Sequence, residues 1–261
     1  MSGAVRIDAR GPVAILTLDR PARGNAIDAE MADAILDAAL TVGSDDAVRA
    51  VVLTGAGKVF CVGGDVTAFG EAADRSPALV RRLTASLHMA VARLARMDKP
   101  LVTAINGAAA GAGFGLSLWG DAALAARSAQ FTTAYGAIGL TPDAGASWLL
   151  PRLVGLRQAQ RLALMNERIT AGQAEAIGLV TRVVEDAALM DEALAAADQL
   201  ARGPRQAFAA TRDLLLQASA STLESHLEAE ARFIARAAGS AEGLEGVRAF
   251  IERREADFAG L

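Results

Sequence analysis

Three clusters have residue types and spacing suited to chemistry. Gly63-Gly64 and Ala110-Gly111-Ala112-Gly113-Phe114-Gly115 are stretches where the main chain can come very close to a ligand. Thr141-Pro142-Asp143-Ala144-Gly145 sets one carboxylate at the mouth of a helix. Free N–H groups at helix starts point outward and carry partial positive charge. Two of them meeting on one carbonyl oxygen polarise it as an oxyanion hole does, and a carboxylate beside that carbonyl can move a proton. Each cluster also has a plain structural reading. Gly-rich helix starts allow tight packing, and Asp143 before Ala144-Gly145-Ala146-Ser147 is a good helix N-cap. The two roles of Asp143 conflict: capping stabilises the charged form, whereas burial beside Leu140 and Trp148 makes a stronger base.

Other chemistries fail on their residues. Gly111-x-Gly113 has Leu116 where a dinucleotide fingerprint needs its third glycine. Gly55-Ala56-Gly57-Lys58 lacks the first glycine and the Ser or Thr of a phosphate loop. Ser117 is followed at the second position by Trp119, not the glycine of a nucleophile elbow. Two histidines and one cysteine leave no zinc set. Cys61 has no neighbouring base in sequence and reads as a small buried hydrophobe. His88 lies one residue past the apolar stripe of its helix and reads as a solvated or hydrogen-bonded side chain.

The elements that must position these clusters follow from patterning. Val5–Ala9 and Val13–Leu18 flank Gly11-Pro12 as a hairpin. Asp28 caps a helix to about Val42 with Met31, Ile35, Leu36 and Leu40 inward. Ser76-Pro77 opens a long helix to Met97, with Ser76 as cap and Val80, Leu83, Leu87, Val91 and Leu94 at helical spacing. Ala50–Leu53, Leu101–Ile105 and Ala122–Ala126 are all-apolar strands, covered on both faces. Phe60–Asp65 reads as a loop and Gly111–Gly120 as a Gly-rich helix start. Helices between buried strands mean parallel sheets with right-handed crossovers. From Ala144 the chain is helical: Ala144–Leu153, Leu156–Met165, Ala171–Ile177, Ala187–Ala201, Pro204–Ala218, Leu223–Ala237 and Glu242–Phe258, with Val180–Val184 as the one strand. A boundary near Gly203-Pro204 divides an α/β core, 1–203, from a helical tail, 204–261. The tail's apolar stripe, with Leu223, Leu227 and Phe233, must fold back or meet a neighbouring subunit.

At 261 residues the chain can bury a full-sized core, and 52% apolar with 21% charged residues is a globular balance. A net charge of −4 without clustered Lys and Arg excludes a nucleic-acid footprint. No apolar run suits a signal peptide or a membrane span, and a lone cysteine fits a reducing compartment, so the expected setting is cytoplasmic.

Asn25-Ala26-Ile27, Phe60-Cys61-Val62-Gly63-Gly64-Asp65, Lys99–Gly107, Ala110–Gly115, Ile138-Gly139-Leu140 and Thr141–Gly145 together resemble the crotonase, or enoyl-CoA hydratase/isomerase, superfamily. Arg152-Leu153-Val154-Gly155, Ala171–Ala174 and Gly178–Val180 extend the resemblance to nearly the full length. It implies a crotonase-type spiral of ββα turns with a C-terminal helical region and a homotrimer or dimer of trimers. It also implies acyl-CoA thioester substrates, with no cofactor or metal because CoA is part of the substrate. Its oxyanion amides fall on Gly64 and Ala112. Substrate-binding positions fall on Arg23, Ala26, Val62, Asp65, Gly111, Tyr135, Arg253 and Arg254, each of the arginines being otherwise an ordinary surface charge.

The departures narrow the chemistry. Hydratases of this family use two glutamates, and the corresponding positions here are Gly115 and Tyr135. Asp143 matches the position where dienoyl-CoA isomerases and ring-epoxide isomerases of phenylacetate breakdown carry a proton-shuttling aspartate. In 4-chlorobenzoyl-CoA dehalogenases the same aspartate is a nucleophile, and a histidine near the place of His88 assists. Gly139–Gly155 and Glu245–Arg254 are most similar to the ring-epoxide isomerases. The resemblance therefore implies an isomerase with Asp143 as its single acid/base. A hydratase, a hydrolytic dehalogenase and a non-catalytic CoA-ester binder stand as alternatives.

Overall fold

The computed structural model describes residues 3–261. In chain order the elements are β1 (Val5–Arg10), β2 (Val13–Leu18), α1 (Ala29–Ser44), β3 (Ala50–Gly55), β4 (Val59–Cys61), α2 (Val66–Ala72), α3 (Ser76–Arg96), β5 (Leu101–Ile105), β6 (Ala108–Ala110), α4 (Ala112–Ser117), β7 (Ala122–Ala126), β8 (Gln130–Thr132), α5 (Ala146–Leu164), β9 (Ile169–Thr170), α6 (Ala171–Ala176), β10 (Arg182–Val184), α7 (Leu189–Ala201), α8 (Arg205–Gln217), α9 (Leu223–Ala238) and α10 (Ala241–Glu252).

Two sheets share these strands. One has the order β1-β2-β3-β5-β7-β10 and is parallel apart from the β1–β2 hairpin. The other has the order β4-β6-β8-β9, with β9 antiparallel to β8. Consecutive strands alternate between the sheets: β3 then β4, β5 then β6, β7 then β8. Each turn of the chain thus lays one strand in each sheet before a helix returns it, which is a ββα spiral. The mixed α/β architecture and the helical C-terminal region match the sequence reading.

The strands of the larger sheet are the ones that composition revealed. Every residue of β3 and β5 is buried. Alanines and β-branched residues let the sheet sit close against α1 and α7, and α3 packs on α1. Lys99 is wholly buried between these layers, and its Nζ donates to the carbonyls of Val42 (2.6 Å), Gly43 (3.0 Å) and Asp45 (2.7 Å). A cation there satisfies the orphan carbonyls at the end of α1.

Several expected boundaries move. Val59–Cys61 is strand, so only the latter part of Phe60–Asp65 is loop. Asp65 caps α2, accepting from Thr67 N (3.1 Å) and Ala68 N (3.4 Å). Ser76 is the first residue of α3 and caps no N–H; its hydroxyl donates instead to the carbonyls of Phe69 and Ala73 (both 2.6 Å). Leu40, expected inward on α1, is exposed. The strand expected at Val180–Val184 is shorter, Arg182–Val184. The last helix ends at Glu252, six residues before Phe258, where Arg253 turns left-handed at φ 56°. The two helices expected at 144–153 and 156–165 are both present within the span α5 and meet at a kink at Gly155 (φ 76°, ψ 156°), the first starting at Ala146. α5 opens at Ala146 with Gly145 as its cap residue, so Asp143 is not the N-cap.

Among the described residues no helix is long and apolar enough to cross a membrane.

Candidate active site

The ends of β4 and β6 bring the two glycine clusters together. Asn25, wholly buried, holds the start of this region: its Nδ2 donates to the carbonyls of Val59 (2.8 Å) and Phe60 (3.0 Å). Beyond β4, Gly63 lies directly on the segment leading into α4. A Cβ at Gly63 would stand 2.8 Å from the Ala110 carbonyl oxygen and 3.2 Å from Ala112 N, at a φ of 96°. Only glycine permits that approach.

This contact leaves two N–H groups on one cavity wall. Ile27 N donates to Gly63 O (2.8 Å) and Asp65 N donates to Ile27 O (3.0 Å). In a parallel bridge those two bonds flank Gly64 and turn its own N–H to the other side. Ala112 is the first residue of α4, so its N–H has no acceptor within the helix. Val62, Gly64, Gly111, Ala112, Tyr135 and Asp143 all line the same cavity of ≈ 520 Å³.

Asp143 stands across from these amides in a tight turn ahead of α5. Tyr135, buried, donates its hydroxyl to Asp143 Oδ1. Burial raises the Asp143 pKa above the ordinary aspartate value, opposed by the hydrogen bond from the Tyr135 hydroxyl. Burial raises the Tyr135 pKa too, reinforced by the charge and hydrogen bond of Asp143, which keeps the phenol a donor.

The turn itself is fixed from three sides. Ala144 is wholly buried at φ 49°, an uncommon conformation for a residue with a Cβ. Its N–H donates to His88 Nε2 (3.2 Å), and its carbonyl accepts from Trp119 Nε1 (2.9 Å). A main-chain N–H can only donate, so His88 presents an unprotonated Nε2 and carries its proton on Nδ1. Gly115 supplies the third side. A Cβ there would lie 2.7 Å from Ala144 Cβ and 3.2 Å from the Asp143 carbonyl oxygen. The position where hydratases of the resembled family hold a glutamate is thus occupied by the backbone of the aspartate turn.

The remaining sequence-derived positions lie elsewhere. Ala26 is half-buried behind the Gly63–Asp65 segment. Arg23 is exposed and donates to Asp65 Oδ2 (2.8 Å), so Asp65 serves α2 and this ion pair. Arg253 and Arg254 follow α10 and do not reach the cavity wall within one chain; Arg254 pairs with Glu245 (2.6 Å) and Glu252 (2.7 Å). Cys61 is buried, its thiol donating to the Asn25 carbonyl (3.1 Å), and burial pushes its pKa up to about 12, which leaves it inert. His88 is hydrogen-bonded, as expected, but its partner makes it part of the site. Trp119 and its bond to Ala144 left no signal in the sequence, because the partners are 25 residues apart and the acceptor is main chain. Among the described residues no three His, Cys, Asp or Glu side chains gather where they could hold a metal ion.

A two-sheet ββα spiral with its strand ends opening on a cavity of main-chain amides is the crotonase fold. The chain belongs to the enoyl-CoA hydratase/isomerase family, whose model matches residues 8–260. It is 38% identical over 249 residues to the 1,2-epoxyphenylacetyl-CoA isomerase of Escherichia coli K12, covering 95% of each chain. It is 35% identical over 240 residues to 4-chlorobenzoyl coenzyme A dehalogenase-2 of Arthrobacter sp., covering 91% of this chain and 87% of the relative. Among solved structures, an enoyl-CoA hydratase from Polaromonas sp. JS666 superposes with a TM-score of 0.93 at 34% identity, covering 98% of this chain and 99% of the other.

Proposed function

We propose that this protein is an acyl-CoA isomerase that shifts a double bond, or opens a ring, next to a thioester, using Asp143 as its only acid/base. The thioester oxygen accepts hydrogen bonds from Gly64 N–H and Ala112 N–H. Those donors stabilise the enolate that forms when a proton leaves the carbon chain. Asp143 takes a proton from the α-carbon through Oδ2, the electron pair spreads over the dienolate, and the same proton returns at the γ-carbon. One carboxylate suffices because no water is added. The single observation that carries this reading is a carboxylate, hydrogen-bonded by Tyr135, in the same cavity as the two amides, with Gly115 and Tyr135 where a hydratase needs carboxylates.

The test is Asp143→Asn against a panel of 3-enoyl-CoA and ring-epoxide CoA esters, with hydration of crotonyl-CoA in parallel. Isomerisation should fall by about 10²–10⁴-fold and wild-type hydration should be negligible. Undiminished isomerisation removes Asp143 from the mechanism, and family-typical hydration overturns the reading of Gly115 and Tyr135.

A second reading has one observation in its favour. An unprotonated His88 nitrogen sits one residue from Asp143, and the dehalogenase relative joins the same family. There the Asp143 carboxylate would attack a ring carbon, expel halide, and be freed from its ester by water. An aryl ester on the Asp143 carboxylate, found by mass spectrometry, would support it.

The same reading takes acyl-CoA esters as substrates without a separate cofactor, in the cytoplasm, as a trimer or dimer of trimers. In such an assembly Arg253, Arg254 and Arg23 are the cations available to CoA phosphates. Residues 204–261 are then the region that joins the subunits.

A further inference from the structure

Asp143 stands where a helix cap would stand, yet α5 does not use its side chain. Among the described residues no side chain caps α5, and its first residue, Ala146, donates instead to the main-chain oxygen of Asp143 (2.9 Å). Ala144 and Gly145, which separate the two, are both left-handed, at φ 49° and 77°. In the right-handed conformation they would add two residues to α5. Asp143 would then be its N-cap, and the Ala144 carbonyl would accept from Trp148 N, four residues on. Alanine by itself favours that outcome, because the left-handed region crowds its Cβ. The shorter helix therefore needs a contact that holds Ala144 the other way.

The Trp119 indole supplies one. Its Nε1 donates to the Ala144 carbonyl (2.9 Å), the group that a longer helix would turn toward Trp148 N. Trp148 N donates to the Gly145 carbonyl instead (3.1 Å). The indole also lies against Gly145, where a Cβ would stand 2.4 Å from Trp119 Cζ2. Trp148 stacks on Trp119 with centroids 6.0 Å apart and planes 9° from parallel, and the Arg152 guanidinium sits 3.8 Å over Trp148. Arg152 Nε in turn donates to the Ser219 hydroxyl (2.9 Å), between α8 and α9. The donor is thus carried on a flat, stiff side chain that is itself braced.

We propose that Trp119 is a positioning residue for the reaction: its bond to Ala144 keeps α5 two residues short, and so keeps the Asp143 carboxylate in the cavity of the Gly64 and Ala112 amides instead of on the helix end. Asp143 enters here as the acid/base of the isomerase reading, on which the proposal rests. Without the indole N–H, Ala144 and Gly145 revert to the helix. The carboxylate leaves Tyr135 and caps the first turn, where free N–H groups stabilise its charge. It is then both misplaced and a weaker base. The titratable groups facing Asp143 are Tyr135 from the segment after β8, Cys61 from β4 and His88 from α3. Arg96 of α3 lines a second cavity that Asp143 also touches. Substitution at 119 replaces none of them.

The experiment follows exchange of the α-hydrogen of butyryl-CoA in D2O across pH, with the full-length wild type, Trp119→Phe, Trp119→Phe combined with Ala144→Gly, and Asp143→Asn. Trp119→Phe keeps a ring to stack on Trp148 and loses the donor. Its kcat for exchange should fall about 10–100-fold with KM little changed, and its acid limb should move to lower pH. Lost packing alone would lower Tm and leave the limb in place. Glycine takes the left-handed conformation freely, so adding Ala144→Gly should recover kcat severalfold and return the limb toward that of the wild type. Unchanged kcat in Trp119→Phe, a limb that stays or moves up, or no recovery with Ala144→Gly overturns the proposal. If Trp119→Phe does not fold, 3-benzothienylalanine in place of Trp119 keeps the indole outline and removes the donor, and the same outcomes decide. Asp143→Asn separates the two claims. Full exchange by that variant sinks the acid/base reading and the proposal with it, whereas loss there beside an undisturbed Trp119→Phe sinks the positioning role alone.

Discussion

Asp143 is held between two opposing influences, and the balance sets its use. Burial raises its pKa, while the hydrogen bond from the Tyr135 hydroxyl favours the charged form. Tyr135→Phe removes that hydrogen bond. The acid limb of the kcat/KM profile should move to higher pH, and activity at neutral pH should fall severalfold, since a hydrogen bond to a charged group is worth about 1.5–3 kcal/mol. An unshifted limb would mean that the hydroxyl does not act on Asp143. A group whose folded pKa is raised contributes stability that is full below its unfolded pKa and lost as pH rises through the folded one. Ionised Asp143 is therefore a cost at neutral pH. Asp143→Asn should match or exceed the wild-type Tm at pH 7, with the gap closing below the ordinary aspartate value of 3.8. A lower Tm at pH 7 would show that the charge stabilises the fold.

The turn bearing Asp143 is set by the elements around it, α3 through His88, α4 through Gly115 and the segment after it through Trp119. Gly115→Ala should press on Ala144 at 2.7 Å. The expected outcome is a loss of about 1–3 kcal/mol in stability by denaturant unfolding, with kcat lowered more than KM is raised. Gly115→Glu should not create a hydratase, because its side chain must first displace the turn. His88→Gln should retain more activity than His88→Ala, since the amide oxygen still accepts from Ala144 N–H; equal losses would point to a chemical task for the imidazole. Much of this was legible beforehand. The buried strands announced themselves as apolar runs, and the pairing of Gly63-Gly64 with Gly111-Ala112 followed from motif. The second sheet did not, because β4, β6 and β8 are three residues each, too short for any period to show. Nor did the turn: an Asp before Ala-Gly-Ala-Ser has the signature of a cap, and only Ala144 at φ 49° shifts the helix start two residues on.

The whole chain leaves apolar surface that one copy cannot bury. Phe250 is 86% exposed, and Leu223, Ile234, Val247 and Ile251 are exposed beside it on α9 and α10. α8 folds back on α3 through Arg212, as an inward-packed tail would, while α9 and α10 keep their stripe outward. A stripe of this size is what a subunit contact covers. Light scattering should give a particle of three or six 26.8 kDa chains, and Phe250→Asp with Ile251→Asp should reduce its mass and Tm. A stable monomer of the wild type would contradict the assembly.

The proton's path can be followed without any choice of true substrate. Butyryl-CoA has an acidifiable α-carbon but no double bond to move, so incubation in D2O isolates the first step. Proton NMR should show its α-hydrogen exchanging in the presence of the wild type and at least about a hundredfold more slowly with Asp143→Asn. Equal exchange by the two proteins would mean that some other group takes the proton.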